Sequence, residues 1–156
     1  MKIRESGSAL RHELSQRPAE KIVFTNGVFD LLHPGHIQLL QYAREQGDIL
    51  VVGVNDDASV RRLKGEKRPL FPLSERLEIL AALECVDFVV PFSEDTPLQL
   101  IQALGNIDVL IKGGDYAPGQ VVGRQEVEAR GGKLCLFKLA EKYSTSALID
   151  KIVKNF

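Results

Sequence analysis

KIVFTNGVFDLLHPGH, residues 21–36, begins as an uninterrupted apolar run and continues into a glycine-containing loop and a Pro-Gly pair flanked by two histidines. The run KIVFT predicts a β-strand that is buried on both faces. Pro34 favours the first position of a helix, because the backbone N–H of that position has no intrahelical partner. The stretch therefore predicts a strand, a short loop and a helix that begins near His33.

Similar apolar runs recur along the chain and alternate with helical patterns. The runs predict strands at residues 21–25, 48–54, 87–90, 108–112 and 133–137. Between them, apolar residues at helical spacing predict helices at residues 37–47, 74–84, 97–105 and 124–132. This alternation predicts an α/β protein with a Rossmann-like, doubly wound fold, in which a five-stranded, mostly parallel sheet is flanked by helices. Ligands of such folds bind beyond the carboxyl ends of the strands.

The chain is expected to form a single domain over residues 1–156. Residues 1–20 predict a lead-in helix, and the α/β core occupies residues 21–156, with a closing helix at residues 146–156. We find no internal repeat, low-complexity tract or linker that would divide this chain.

Charge and cysteine content limit the class of protein. The chain has 20 Lys and Arg against 21 Asp and Glu, so its formal net charge is -1. Because it has no general basic field, we expect no non-specific binding to nucleic acid or to a membrane surface. Cys85 and Cys135 lie far apart in apolar stretches, which favours reduced thiols. The charged N-terminal segment lacks the apolar region of a secretion signal, so we expect a cytoplasmic protein.

The loop and helix start within residues 26–36 form a predicted phosphate site. A helix N-terminus presents unpaired N–H donors and the positive end of the helix dipole. Gly27 and Gly35 allow the backbone to approach a ligand closely. His33 and His36 lie three residues apart, on one side of the first turn, and can donate hydrogen bonds to phosphate oxygens as negative charge develops.

Other interpretations of these residues remain open at this point. A histidine pair at this spacing can be a surface or capping pair without chemistry. A zinc site would need a third ligand, but His12 and both cysteines are distant in sequence. Asp30 can cap the turn where the strand gives way to the helix. The chain contains no P-loop motif and no GxGxxG motif after its first strand, so those two modes of nucleotide binding are disfavoured.

Two further segments carry groups that suit phosphate. Residues 55–72 and 113–123 have little regular pattern and predict long loops at the ligand-binding edge. The first of them contains most of a dense basic stretch, which consists of Arg61, Arg62, Lys64, Lys67, Arg68 and Arg76. This stretch is either a solvated basic surface or a triphosphate clamp. The run Ser144-Thr145-Ser146 can cap the helix that follows it and also face a phosphate.

GVFDLLHPGH resembles the HxGH signature of the nucleotidylyltransferase superfamily. Further segments resemble that superfamily in the same order, over residues 20–152: RLKGEKRPL, SERLEIL, DVLIKGGDY and KYSTSALI. The resemblance implies a Rossmann-like domain that joins a nucleotide to a phosphorylated substrate. It implies catalytic roles for His33, His36 and Lys64, with Lys67 and Arg68 as helpers. Together with the argument above, it implies nucleotide binding by Asn26, Gly27, Val28, Phe29, Asp30, Gly35, Asn55, Asp56, Arg76, Lys112, Gly114, Asp115, Ser144, Thr145 and Ser146.

Within the superfamily, these segments look most like the adenylyltransferases that make ADP-heptose for lipopolysaccharide, here as a free-standing domain. The resemblance implies transfer of AMP from ATP to a heptose 1-phosphate, with release of pyrophosphate. It implies ATP and a sugar 1-phosphate as partners, and Mg²⁺ bound through the ATP phosphates rather than by protein ligands. A homodimer is left open.

Two alternative functions are also left open. One is another nucleotidylyltransferase, such as a glycerol-3-phosphate cytidylyltransferase or a vitamin-phosphate adenylyltransferase. The other is a nucleotide-binding module without turnover. The cytidylyl branch has Thr where this chain has Val28, and Arg where this chain has Leu139. These two differences favour the adenylyl branch.

Overall fold

The computed structural model describes residues 1–138 and 143–156 of the chain. Within these residues the strands are β1 Ile22–Gly27, β2 Ile49–Asn55, β3 Phe88–Phe92, β4 Val109–Gly113 and β5 Lys133–Phe137. The helices are α1 Gly7–Ser15, α2 Pro34–Glu45, α3 Asp57–Lys64, α4 Leu73–Ala82, α5 Leu98–Leu104, α6 Arg124–Ala129 and α7 Thr145–Asn155, with a 3₁₀ turn at Pro118–Gln120. None of these helices is long and apolar enough to span a membrane.

The five strands form one sheet in the order β3-β2-β1-β4-β5, and every pair of neighbours is parallel. The chain moves outward from β1 to β3 and then returns to place β4 on the other side of β1. The strand order therefore reverses between β1 and β4, which opens a crevice at their carboxyl ends. The predicted fold class, an α/β doubly wound sheet flanked by helices, is confirmed.

Aspartates at the amino ends of the strands fix how neighbouring strands align. Asp48 accepts a hydrogen bond from the backbone N–H of Lys21 at 2.8 Å, and Asp108 accepts one from Ile22 at 2.7 Å. Asp87 makes the same contact to β2. Because parallel strands aligned at one end are also aligned at the other, these bonds help to define the edge at which the crevice opens.

Alternating side chains of each strand fill two separate cores. Phe24 and Val51 face the layer that contains α1, α5 and α6, whereas Val23 and Leu50 face the layer that contains α2 and α4. All four residues are fully buried. Burial on both faces explains why the strands read as continuous apolar runs in the sequence.

Helix α3 lies within a segment that was predicted to be a loop, residues 55–72. Asp56 caps this helix by accepting a hydrogen bond from the N–H of Ser59 at 2.7 Å. Only Ser59 and Val60 of the helix are buried. The helix is short and most of its residues are polar, so the sequence pattern predicted a loop at this place. Lys64 is consequently the last residue of a helix and not part of a loop.

The lead-in segment is also less helical than expected. Its helix, α1, covers Gly7–Ser15 only, within the 1–20 segment that was predicted to be helical. Before it, Ile3 forms a parallel bridge to Val89 and so adds a short contact to the free edge of β3. The Ser6 side chain accepts from the N–H of Ala9, which explains why the helix starts where it does.

Candidate active site

The two signature histidines lie at the start of α2, as predicted. His33 is the N-cap residue, and its backbone N–H donates to Nδ1 of His36 at 3.3 Å. The two imidazole rings stack with centroids 3.7 Å apart and planes at 20°. Because Nδ1 of His36 accepts a hydrogen bond, the neutral ring carries its proton on Nε2. That N–H has no partner among the described residues and remains available as a donor.

Burial keeps both histidines neutral in the absence of a ligand. Burial, together with the charge of the neighbouring His33, lowers the pKa of His36 to about 4. Burial also lowers the pKa of His33, whose Nδ1 is enclosed without a hydrogen-bond partner among the described residues. The ring of Phe29 lies beside His36, with centroids 5.4 Å apart, and supplies part of this apolar cover. An approaching phosphate would raise both pKa values, because negative charge favours the imidazolium form.

The free energy of unfolding is expected to fall as the pH drops from about 6.5 towards 4. The folded protein holds the pKa of His36 at about 4, whereas a histidine in an unfolded chain titrates near about 6.5. In that interval the unfolded chain binds a proton that the folded protein does not, so acid favours unfolding. Urea unfolding at about pH 7.5 and about pH 5 should show a smaller acid loss for His36→Gln than for the wild type.

Exposed His12 provides the matched control for this pH experiment. His12→Gln should lose as much stability in acid as the wild type does. If His36→Gln also showed the full wild-type loss, the neutral, buried state of His36 would be contradicted.

The segment before α7 packs over the first turn of α2. The Tyr143 ring is nearly parallel to the His33 ring, at 14°, with centroids 6.2 Å apart. A Cβ atom at Gly35 would lie 3.0 Å from the Cβ of Tyr143 and 3.1 Å from Cε1 of His33. Gly35 therefore makes room for this packing. Thr145, at the start of α7, contacts the backbone carbonyl of Leu31.

The serine and threonine run begins α7 as the capping interpretation predicts. The Ser144 side chain accepts from the N–H of Ala147 at 3.0 Å. Ser144 and Ser146 are exposed. The N-termini of α2 and α7 thus lie side by side and place two sets of N–H donors at one location. The predicted contacts of Ser144, Thr145 and Ser146 with phosphate are compatible with this arrangement and stay predictions.

Asp30 holds a loop instead of facing the open crevice. Its side chain is fully buried and accepts hydrogen bonds from Arg68 Nε and from the N–H groups of Leu70 and Phe71. Burial alone would raise its pKa, but these hydrogen bonds and the charge of Arg68 hold the pKa below its ordinary value. A carboxylate so enclosed is already bound by protein donors, and the predicted nucleotide contact of Asp30 stays a prediction. Asp30 holds residues 68–71 in place through these bonds.

Arg76 is likewise occupied by protein partners. Its side chain is fully buried and donates to the carbonyl oxygens of Val28 and Asn55 at 2.7 Å each and of Phe71 at 3.0 Å. It also donates to Oδ1 of Asp57 at 2.7 Å. One guanidinium thus joins the end of β2, the loop after β1 and the start of α3. The predicted nucleotide contact of Arg76 remains untested, and these bonds assign it a supporting role at the crevice.

Arg76→Met is expected to lower the free energy of unfolding by about 3 kcal/mol, because it leaves buried carbonyl groups and one carboxylate without their donor. Urea unfolding at neutral pH measures this loss. Arg124→Met is the control, since Arg124 pairs with Glu128 at the surface and should cost less than about 0.5 kcal/mol. Equal stability of the two variants would contradict the supporting role of Arg76.

The remaining predicted residues lie around the crevice between β1 and β4. One cavity of about 390 Å³ is lined by residues from both strands and from α3, including Asn26, Gly27, Val28, Asn55, Lys64 and Lys112. Asp56 caps α3 and does not line this cavity. Gly114 and exposed Asp115 follow β4 outside its lining. Leu139 is one of the two differences from the cytidylyl branch, and it lies outside the described residues.

Residues 24–150 match the cytidylyltransferase-like family. The chain belongs to this family. The match covers the signature histidines, both helix N-termini and the crevice, so the resemblance predicted from HPGH and the later segments is confirmed. The family description does not decide which nucleotide is used.

Two curated relatives illustrate the similarity. The bifunctional protein HldE of Citrifermentans bemidjiense is 61% identical over 137 residues, which is 88% of this chain and 28% of that protein. The protein of the same name from Geobacter metallireducens is 56% identical over 144 residues, or 92% of this chain and 29% of that protein. The chain thus spans less than a third of the length of these relatives.

Two solved structures resemble the fold. A lipopolysaccharide core biosynthesis protein from Thermoplasma volcanium aligns with a TM-score of 0.63 and 27% identity, over 80% of this chain and 99% of its own. A pantoate-beta-alanine ligase from Francisella tularensis, crystallised with an ATP analogue and beta-alanine, aligns with a TM-score of 0.65 and 18% identity, over 100% of this chain and 80% of its own. The second likeness concerns the fold alone.

Proposed function

We propose that this chain is an adenylyltransferase that transfers AMP from ATP to a heptose 1-phosphate, giving ADP-heptose and pyrophosphate. The observation that carries the proposal is the stacked pair of His33 and His36 at the N-terminus of α2, on the crevice where the strand order reverses. The order of sequence segments shared with the ADP-heptose branch supports the choice of substrate. The HldE relatives and the lipopolysaccharide core biosynthesis structure are in keeping with it.

In the proposed reaction, a phosphate oxygen of the sugar 1-phosphate attacks the α-phosphorus of ATP. A new oxygen–phosphorus bond forms as the bond between the α-phosphorus and the bridging oxygen breaks, and pyrophosphate leaves with that electron pair. Nε2–H of His36 and the first N–H groups of α2 donate to the oxygens on which negative charge increases. Lys64, at the end of α3, supplies a positive charge from the crevice cavity. No covalent enzyme intermediate is needed.

The proposal includes Mg²⁺ bound through the ATP phosphates. The crevice contains Lys64 and Lys112, which complement phosphate oxygens and fit a metal ion delivered by the nucleotide. When bound, the ion would neutralise phosphate charge. His33, His36 and Lys64 bind and orient the same phosphates from the protein side. Dependence on ATP also agrees with the cytoplasmic location expected from the sequence.

Pyrophosphate release should be much faster with ATP than with CTP when a heptose 1-phosphate is the acceptor. The assay pairs each nucleotide with sugar 1-phosphates, glycerol 3-phosphate and vitamin-derived phosphates. A preference for CTP with glycerol 3-phosphate would establish the cytidylyl alternative. ATP binding without pyrophosphate release from any pair would establish a non-catalytic module. Sedimentation of the same sample would test the homodimer left open by the sequence.

A further inference from the structure

A cavity with polar and apolar lining lies beside the N-termini of α2 and α7 without including them. It has a volume of about 390 Å³, and its lining contains Asn26, Gly27 and Val28 on one side. Neither the histidine pair nor the residues that begin α7 contribute to it. The volume falls within the range of about 300–1,000 Å³ that small-molecule sites occupy. The cavity is therefore a compartment separate from the helix N-termini, and its lining includes residues 26–28, which precede α2 in the chain.

Two lysines in this cavity have no anionic partner. Neither the Lys64 ammonium nor the Lys112 ammonium has a hydrogen bond or ion pair among the described residues, and the Lys112 ammonium lies 5.3 Å from the centroid of the Tyr116 ring. Burial lowers the pKa of Lys112, and the charge of Lys64 lowers it further. Asp95 also lines the cavity, but it pairs with Arg62 at 2.7 Å. Two neighbouring cations without a counter-charge are unfavourable in a partly enclosed site, so the cavity suits an anion.

The position of the cavity indicates which anion it holds. In-line displacement places the attacking and leaving oxygens on opposite sides of the phosphorus atom. The residues that begin α2 and α7 do not line the cavity, whose lining includes residues 26–28. If the donors at these helix N-termini hold the leaving pyrophosphate, the neighbouring cavity is the place for the attacking phosphate.

The rim of the cavity carries groups that suit hydroxyls. Exposed Thr96 and Gln120 line it together with the carboxylate of Asp95. Hydroxyl, amide and carboxylate groups can donate to or accept from the hydroxyls of a sugar. Arg62 binds Asp95 through Oδ1 and leaves Oδ2 for other donors. A phosphate site with a hydroxyl-binding rim matches a hydroxylated sugar phosphate better than a second nucleotide.

We infer that this cavity is the acceptor subsite, in which Lys112 binds the phosphate of a sugar phosphate and Thr96, Asp95 and Gln120 contact its hydroxyls. The inference rests on the proposed function and moves Lys112 from the nucleotide, where the sequence predicted it, to the acceptor. Lys64 then lies at the boundary, within reach of both phosphates.

Lys112→Gln tests the inference, with Lys133→Gln as the control on the exposed start of β5. The loss of a charge-assisted bond should raise the KM for heptose 1-phosphate by about tenfold or more. The Kd for α,β-methylene ATP should stay within about twofold, because the nucleotide would not use this side chain. Thr96→Val should raise the same KM without changing the Kd. Lys133→Gln should alter neither quantity.

Calorimetric titration separates this inference from the proposed function. Mannose 1-phosphate and heptose 1-phosphate are titrated into the chain saturated with α,β-methylene ATP, so that no turnover is required. Binding that Lys112→Gln weakens supports the subsite even if no adenylyl transfer occurs with any acceptor. If Lys112→Gln weakened the binding of sugar phosphate and of nucleotide equally, the subsite would be overturned. Adenylyl transfer by the wild type would still support the proposed function in that case. No binding of either sugar phosphate to the wild type would also overturn it.

Discussion

Replacing His36 with Asn is expected to lower kcat by about 10²- to 10³-fold, the loss that follows removal of one donor to developing charge. His36 has two separate tasks in the proposed reaction, because Nδ1 accepts the N–H of His33 at 3.3 Å and Nε2–H would donate to phosphate. An Asn side-chain oxygen can replace Nδ1 as an acceptor but is too short to replace Nε2. The variant should therefore keep the start of α2 and lose most of the turnover.

His36→Gln supplies the matched comparison, because its amide N–H reaches nearer to the position of Nε2. We expect it to retain more kcat than His36→Asn, although the N–H of His33 loses its acceptor. Steady-state kinetics with saturating ATP and acceptor, together with urea unfolding at neutral pH, measure both effects. His33→Ala should fall in the same range as His36→Asn. Near-normal kcat in both His36→Asn and His33→Ala would show that the two histidines cap the helix and have no catalytic role.

The sheet was predictable because a strand that is buried on both faces has a continuous run of apolar residues. The inner strand β2 is enclosed between two helix layers, so every position from Ile49 to Val54 is buried and forms an apolar run in the sequence. The start of α2 was predictable for a similar reason, since Pro34 suits a first helical position. Signals of this kind are local, and they survive without knowledge of tertiary contacts.

Helix α3 was absent from the prediction, so Lys64 was expected to lie in a loop. The stability of this helix depends on one cap and on two buried residues, Ser59 and Val60. A solvated basic segment and a polar helix have the same composition, so the pattern could not separate them. The same lack of a local signal applies to Tyr143, which contacts α2 across more than a hundred residues of sequence.

The roles of Asp30 and Arg76 depended on contacts that sequence spacing cannot reveal. Both were predicted to bind nucleotide, since a carboxylate and a guanidinium near a phosphate site are natural ligands. In the structure both are enclosed by protein partners, 38 or more residues away for Asp30 and as far as 48 residues away for Arg76. The same side-chain chemistry that binds a ligand can also hold a loop, and only the three-dimensional contacts distinguish the two.

Lys64→Ala is expected to lower kcat by about 10²-fold. The substitution removes a cation that stabilises the negative charge developing on the oxygens of the α-phosphate. Lys64 ends α3, and the N–H of Gly65 closes that helix by donating to the carbonyl of Arg61 at 2.9 Å. The helix therefore presents the ammonium to the crevice from a defined position. Asp30 holds residues 68–71 of the following loop, and Lys67 lies between that segment and the end of α3. Limited trypsin digestion without ATP should therefore cut at Lys67 more readily than within α3.

Arg61→Ala is the control for Lys64→Ala, because Arg61 is an exposed cation in the same last turn and does not line the crevice cavity. It should change kcat and stability little, as surface substitutions usually do. A solvated basic surface predicts the same small effect for both variants, whereas a phosphate-binding lysine predicts a large difference between them. ATP should protect Lys67 from trypsin if the loop closes over the triphosphate. Unchanged kcat in Lys64→Ala, without ATP-dependent protection from trypsin, would show that the basic stretch is a solvated surface and not a triphosphate clamp.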